Sequence, residues 1–150
     1  MENHHFEYEI MITQVNGLME RRQNVTTIYL SVNAAIITVI AFLLQDVQQI
    51  TLNQQVPILL LLLSGLAACD LWRRLIRDYR KLLNWWYEQI RKLETKLEND
   101  KQIITREYND LYKYGSVGLT KYETRLAWLF TIVYLVFLIG TAFTALSVIF

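Results

Sequence analysis

The stretch CDLWRRLIRDYRK, residues 69–81, joins an apolar segment directly to a charged one. It carries five basic and two acidic residues, and it contains no glycine or proline. Because nothing in it breaks a helix, a helix that begins in the preceding apolar run should continue through it. The question it raises is whether a membrane span ends in this stretch or whether the stretch is a charged site inside a span.

Three long windows of the sequence lack charged residues, although 19% of the chain is charged. The first, 24–45, has 22 residues, the second covers 47–69, and the third covers the 25 residues 126–150. A transmembrane helix needs about 20 mainly apolar residues. The first and third windows reach this length unaided, and a soluble chain of 150 residues would have to bury both in one core. This argues for a membrane protein.

The dense part of the second window, 56–69, has only 14 residues, and by length alone it could be a buried core helix. We instead extend this helix into the opening stretch, where Arg73 and Arg74 direct their charged ends to the membrane surface. The apolar residues that lengthen it are Leu71, Trp72, Leu75 and Ile76. The sequence thus predicts an all-α membrane protein with three transmembrane helices and a cytoplasmic helical hairpin between the second and third.

The basic residues indicate how the spans are oriented. Arg21 and Arg22 precede the first span, and the other thirteen of 15 lysines and arginines lie between Arg73 and Arg125. By the positive-inside rule, the N-terminus and the long second loop are cytoplasmic and the C-terminus is external. The predicted segments are a cytoplasmic amphipathic segment 1–24, spans 25–45, 57–76 and 123–150, an external loop 46–56 and the hairpin 77–122. The acidic, polar N-terminus does not resemble a signal peptide.

The hairpin should begin with a continuation of the second span. Its apolar side chains form one stripe with a mean period of about 3.67 residues, made by Leu75, Tyr79, Leu82, Trp86, Ile90, Leu93 and Leu97. A second helix capped by Asn99 should follow, and Thr120 with Glu123 has the spacing of a capping box before the third span. Residues of the N-terminal segment that could pack against the hairpin are Phe6, Ile10, Leu18 and Met19.

Polar and small residues in the spans are candidate functional positions. Candidates for hydrogen bonds between helices, or for the lining of a pore, are Asn33, Thr38, Asp70 and Arg74. Asp70 is expected to pair with Arg73 or Arg74 at helical spacing. Candidates for the lipid headgroup region are Trp72, Arg73, Arg77, Arg80, Lys81 and Trp128. Candidates for close packing between subunits are Ser31, Ala35, Gly140 and Thr144, with packing inside one subunit as the alternative.

The sequence contains no recognised catalytic or metal-binding motif. The adjacent His4 and His5 have no nearby cysteine, and the serines have no histidine or lysine arranged as a base. There is no phosphate-binding glycine loop. A net charge of +1 with interspersed signs argues against nucleic acid. We expect no enzyme activity, no cofactor and no metal, and we expect the single cysteine, Cys69, to be a packing residue.

Three segments in this order resemble the RipA-type octameric membrane protein family of bacteria: RRQNVTTIYLSVNAA, LWRRLIRDYRKLLNWWYEQIRKLE and LTKYETRLAWLF. The resemblance extends from about Tyr8 to Phe130. The matching positions are Arg21, Arg22, Asn24, Asn33, Trp72, Arg74, Leu75, Ile76, Tyr79, Arg80, Asn84, Thr120 and Glu123. The sequence departs from the family pattern at Ala127 and Trp128, where the family leads us to expect a proline and its kink.

The resemblance implies a homo-oligomer of eight subunits in the bacterial cytoplasmic membrane, and it implies no known reaction. The favoured interpretation is a non-enzymatic scaffold that organises lipids or partner proteins. The alternative is a small channel or pore-forming effector with a central conduit. The two differ in what faces the central axis, because a conduit would be ringed by polar side chains such as Asn33, Thr38 or the Asp70 and Arg74 level.

Overall fold

In the residues that it describes, the computed structural model has four helices. They are α1 (Glu2–Leu44), α2 (Leu52–Glu94), α3 (Ile103–Tyr114) and α4 (Leu119–Ile149). The structure describes residues 2–45, 52–96, 102–114 and 119–149, and the side chains of 6–45, 55–96, 102–110 and 121–143. These residues contain no strand, which confirms the all-α prediction.

Three of the helices are long and apolar enough to cross a membrane, as predicted. The candidate spans lie within Phe6–Leu44, Gln55–Glu94 and Lys121–Phe143. Helix α2 begins at Leu52, inside the stretch 46–56 that we predicted as a loop, and it passes through Pro57. A proline this close to the start of a helix removes a backbone hydrogen bond only from the first turns.

The chain divides into two units, which we call the apolar unit and the polar unit. The apolar unit consists of Val25–Arg74 and Glu123–Phe150, and the polar unit consists of Met1–Asn24 and Leu75–Tyr122. The apolar unit contains the greater part of the three charge-free windows. Helices α1 and α2 each have one part in the apolar unit and the other part in the polar unit.

The core of the apolar unit is formed by α1, α2 and α4. Its buried members are Ile40, Ile58, Leu62, Cys69 and Tyr134. On α2 the buried positions are Ile58, Leu62, Gly65, Cys69 and Trp72, which are alternately four and three residues apart. This spacing is typical of nearly parallel helices, in which side chains of one helix insert between those of the next.

In the polar unit, the N-terminal part of α1 packs on the C-terminal part of α2. Val15, Leu83 and Ile90 are buried at the centre of this core. Its partly buried members are Tyr8, Met11, Ile12, Leu18, Trp86, Tyr87 and Ile104. Of the residues that the sequence offered for this contact, Leu18 packs here, whereas Phe6 and Ile10 are exposed.

The predicted stripe on α2 was wrong in one part. Leu82 is 42% exposed, whereas its neighbour Leu83 is only 5% exposed. The buried residues Ile76, Leu83 and Ile90 are seven apart, so the buried face has a period of about 3.5 rather than 3.67 residues. The reason is the neighbouring helix: α1 covers the side of α2 that carries Leu83. Leu97 lies outside the described residues.

Candidate functional site

A buried polar junction lies at the centre of the apolar unit, around Asn33 of α1. The Asn33 side chain is fully buried, and its Nδ2 donates to the backbone oxygen of Tyr29 at 2.7 Å. Its Oδ1 accepts hydrogen bonds from Tyr134 Oη at 2.9 Å and from Cys69 Sγ at 3.3 Å. The amide therefore joins α1, α2 and α4 of a single chain, and none of its surface faces outward.

Gly65 makes room for the tyrosine that reaches this junction. A Cβ atom at position 65 would lie 2.5–2.8 Å from three atoms of the Tyr134 ring. Real Cβ atoms do not approach that closely, so glycine allows α4 to bring its tyrosine against α2. By contrast, a Cβ at Gly140 would meet nothing within 4 Å. The sequence did not distinguish these two glycines.

Trp72 corrects one of our predictions. We expected it at the lipid headgroups, but the structure buries its side chain completely. The indole stacks on Tyr29, with ring centroids 6.0 Å apart and planes 3° apart, and it packs on Phe130 at 6.5 Å. Its large ring fills the space between α1 and α4, which explains why it faces inward. Its Nε1 has no hydrogen-bond partner among the described residues.

The charged residues beside Trp72 form the ion pairs that their spacing predicted. Asp70 Oδ2 lies 2.7 Å from Arg74 Nε, and Asp70 Oδ1 lies 3.4 Å from Arg73 Nη2. The Arg73 guanidinium also lies 4.4 Å from the centroid of the Trp128 ring on α4, close enough for a cation–π contact. The ion pairs lie within α2, and the contact of Arg73 with Trp128 joins α2 to α4.

The other predicted positions lie on the outside of their units. Thr38 is exposed, and its hydroxyl donates to the backbone oxygen of Ala34 at 2.8 Å. The remaining exposed candidates are Ser31, Ala35, Gly140, Trp128, Arg77, Arg80 and Lys81. The side chain of Thr144 lies outside the described residues. Ser31 and Ala35 of α1 are therefore on the surface of their own subunit.

A second buried polar group, which sequence reasoning missed, lies in the polar unit around Glu94. Its Oε1 accepts hydrogen bonds from Tyr8 Oη and Ile104 N, each at 2.9 Å. Its Oε2 accepts bonds from Thr105 N at 2.7 Å and Thr105 Oγ1 at 2.6 Å. The carboxylate thus binds the free backbone amides at the start of α3 and ties α1 and α3 to α2.

These hydrogen bonds determine the ionisation of the buried carboxylate. Burial by itself raises the pKa of Glu94, but the hydrogen bonds from Thr105, Ile104 and Tyr8 outweigh it and hold this pKa below its usual value. Burial and the adjacent carboxylate raise the pKa of Tyr8 to about 12. Glu94 therefore stays charged and Tyr8 stays protonated at neutral pH.

One signal in the sequence could have revealed Glu94. It follows Ile90 by four residues, so it lies on the buried face of α2, where an acidic residue requires a partner. We had assigned the cap of the following helix to Asn99, which lies outside the described residues. The Thr120 side chain of the predicted capping box also lies outside them, and α4 begins at Leu119.

Neither polar group has the composition of a metal site. Among the described residues, no group of three or more His, Cys, Asp or Glu side chains is placed to hold a metal ion. The side chains of His4 and His5 lie outside those residues. Both groups use their polar atoms to join helices within one chain.

A comparison with models of protein families gives a match that covers most of the chain. The model of the octameric membrane protein family (8xMP) matches residues 6–143, which is nearly the whole sequence. The chain belongs to the octameric membrane protein family. This confirms the family part of the resemblance, while the RipA type and the bacterial source stay predictions. No curated protein and no solved structure matched the chain.

The family assignment agrees with the helices of the chain. An octameric membrane protein needs segments that suit a bilayer, and the described part of the chain has three of them. Most of the surface of these three segments is exposed: only 11%, 28% and 17% of their most apolar parts are buried inside the chain. Apolar surface of this extent has to be covered by lipid or by other copies of the chain.

Proposed function

We propose that this octameric membrane protein is a non-enzymatic scaffold, of the RipA type, in the bacterial cytoplasmic membrane. Eight copies would organise lipids or partner proteins around them. The N-terminus and the polar unit lie in the cytoplasm and the C-terminus lies outside, because all 15 basic residues fall on one side of a three-span topology. The exposed residues Arg80 and Trp128 contact lipid headgroups.

The observation that carries the scaffold proposal is the pairing of Asn33. A conduit would need the most polar side chains of the spans on the outer surface of each subunit, where a ring can turn them toward its axis. Asn33 instead satisfies its carbonyl oxygen with Tyr134 and Cys69 of its own chain. A polar residue used in this way stabilises one subunit and leaves mainly apolar side chains for the exterior.

The alternative function, a small channel, is favoured by a different observation. The exposed side chains of α1 in the apolar unit include Ser31 and Thr38, and the ion pair of Asp70 with Arg74 is also partly exposed. Eight copies of such residues around an axis could line a conduit. However, the Thr38 hydroxyl already donates to its own helix, so it can also face lipid or another helix.

Reconstitution in liposomes tests the two functions against each other. For a scaffold we expect particles with the mass of eight chains and no ion flux above that of protein-free liposomes. Flux that Thr38→Val abolishes would support the channel and contradict the scaffold. Thr13→Val is the matched control, because the Thr13 hydroxyl makes the same bond to its own helix, at 2.9 Å to Glu9 O, but lies in the polar unit.

A further inference from the structure

The outer side of α1 in the polar unit carries an exposed apolar pair surrounded by acidic residues. Phe6 is 66% exposed, and Ile10, one turn later, is exposed as well. Glu9 and Glu20 are also exposed. Residues 2–20 contain four glutamates and no lysine or arginine. We call Phe6, Glu9, Ile10 and Glu20 the acidic face.

The outer side of α2 in the same unit has a matching apolar pair with the opposite charge. Trp85 is 52% exposed and Leu82 is exposed, although neither belongs to a lipid-facing window. Residues 75–81 contain three basic residues and one acidic residue. We call Arg77, Lys81, Leu82 and Trp85 the basic face. Lys81 pairs with Asp78 at 4.0 Å, and because both side chains are exposed to solvent this pair contributes little.

Both faces lie outside the charge-free windows, so lipid tails cannot cover them. Neighbouring apolar side chains that are exposed together and surrounded by charged residues are typical of a surface that contacts another protein. The acidic face cannot pair with a copy of itself, and neither can the basic face, because like charges opposite one another oppose association. Each face therefore requires the other kind of surface.

A closed ring of identical subunits provides that pairing. In a cyclic assembly each subunit contacts its neighbours through two different faces, which repeat around the ring. We propose that in the octamer the acidic face of one copy packs against the basic face of the next copy. Phe6 and Ile10 meet Leu82 and Trp85 at the centre, and the charges form the rim, as in typical protein interfaces. This inference rests on the octameric assembly in the proposed function.

Charge reversal tests the pairing through the mass of the particle in nanodiscs. Glu9→Lys with Glu20→Lys should reduce the octamer at a given protein concentration at least about tenfold, and Arg77→Glu with Lys81→Glu should do the same. All four changes in one chain should restore it. The controls are Asp110→Lys and Lys121→Glu, which change exposed charges outside both faces and should leave the octamer intact.

Cross-linking gives a second test that does not depend on charge. A chain with Ile10→Cys and Leu82→Cys should form disulfides between copies on mild oxidation and give a ladder of up to eight chains. The native Cys69 is buried and can stay in place. Asp110→Cys with Leu82→Cys is the control, and it should not form the ladder.

The outcomes separate this inference from the assembly on which it rests. A wild-type octamer that persists in all charge-reversed variants and gives no ladder would overturn the inference and leave the octameric scaffold in place. Loss of binding to anionic vesicles in the Arg77→Glu, Lys81→Glu variant, with the octamer unchanged, would assign the basic face to lipid and overturn it as well. A wild-type protein that is monomeric would instead contradict the proposed assembly.

Discussion

At the scale of single residues, Asn33 shows how a polar side chain is accommodated in an apolar unit. A buried amide without partners would be strongly unfavourable there. Asn33 avoids this because a tyrosine and a cysteine from two other helices donate to the same oxygen. The sequence indicated that Asn33 needed a partner on another helix, but it could not name Tyr134, which is 101 residues away.

Substitution of Asn33 should weaken the subunit. Asn33→Leu removes the 2.9 Å acceptor of the Tyr134 hydroxyl, so we expect the free energy of unfolding in micelles to fall by about 1–2 kcal/mol. In the double variant with Tyr134→Phe, the loss should be smaller than the sum of the two single losses. Strictly additive losses would show that the two side chains do not interact.

Gly65 should be sensitive to a single methyl group. Gly65→Ala would place its Cβ 2.5 Å from the Tyr134 ring, and the required shift should lower the free energy of unfolding by about 1–3 kcal/mol. Gly140→Ala is the control, because its Cβ would meet nothing within 4 Å of its own chain. Thermal unfolding of both variants in the same detergent checks this, and equal melting temperatures would contradict it.

At the scale of elements, α2 shows how far periodicity can be read. Its continuity through residues 69–81 follows from the absence of glycine and proline, and the structure has one helix over Leu52–Glu94. The buried side of α2 was harder to predict. Positions 82 and 83 both carry leucine, and only the position of α1 determines that Leu83 is buried and Leu82 is exposed. The same applies to Glu94, because its role depends on where α3 begins.

The cap that Glu94 forms on α3 should make the polar unit sensitive to acid. A carboxyl group whose pKa is lowered in the folded protein stabilises it above the unfolded value of about 4.3, and this contribution is lost as pH falls through the folded value. Glu94→Gln should remove this contribution to the acid dependence and lower the free energy of unfolding at pH 7 by about 0.5–2 kcal/mol. Circular dichroism can follow helix content during unfolding by denaturant at several pH values. These curves give both the free energy of unfolding and its dependence on pH.

A control for Glu94 lies six residues earlier on the same helix. Glu88 is exposed and pairs with Lys92 at 2.9 Å, so Glu88→Gln removes a surface ion pair only. It should leave the unfolding transition at pH 7 nearly unchanged. An equal effect of the two substitutions would mean that the buried hydrogen bonds of Glu94 do not stabilise α3.

At the scale of the whole molecule, the three charge-free windows predict the membrane spans, and the distribution of the basic residues predicts their orientation. The windows appear as three membrane-capable helices, and the family match agrees with them. The orientation is tested by labelling intact cells with a membrane-impermeant maleimide in a Cys69→Ser background. Phe150→Cys should be labelled, and Asp110→Cys should be labelled only after permeabilisation. The reverse pattern would contradict the proposed orientation.

By itself, the sequence determined that the chain is helical, that three segments suit a membrane, and to which family it belongs. These properties depend on composition and local spacing, which are readable along one chain. Only the tertiary structure decided that Trp72 faces inward, that Glu94 caps α3 and that Phe6 and Trp85 remain exposed. The reason is physical: burial and hydrogen bonding depend on which helices become neighbours, and residues distant in sequence determine that together.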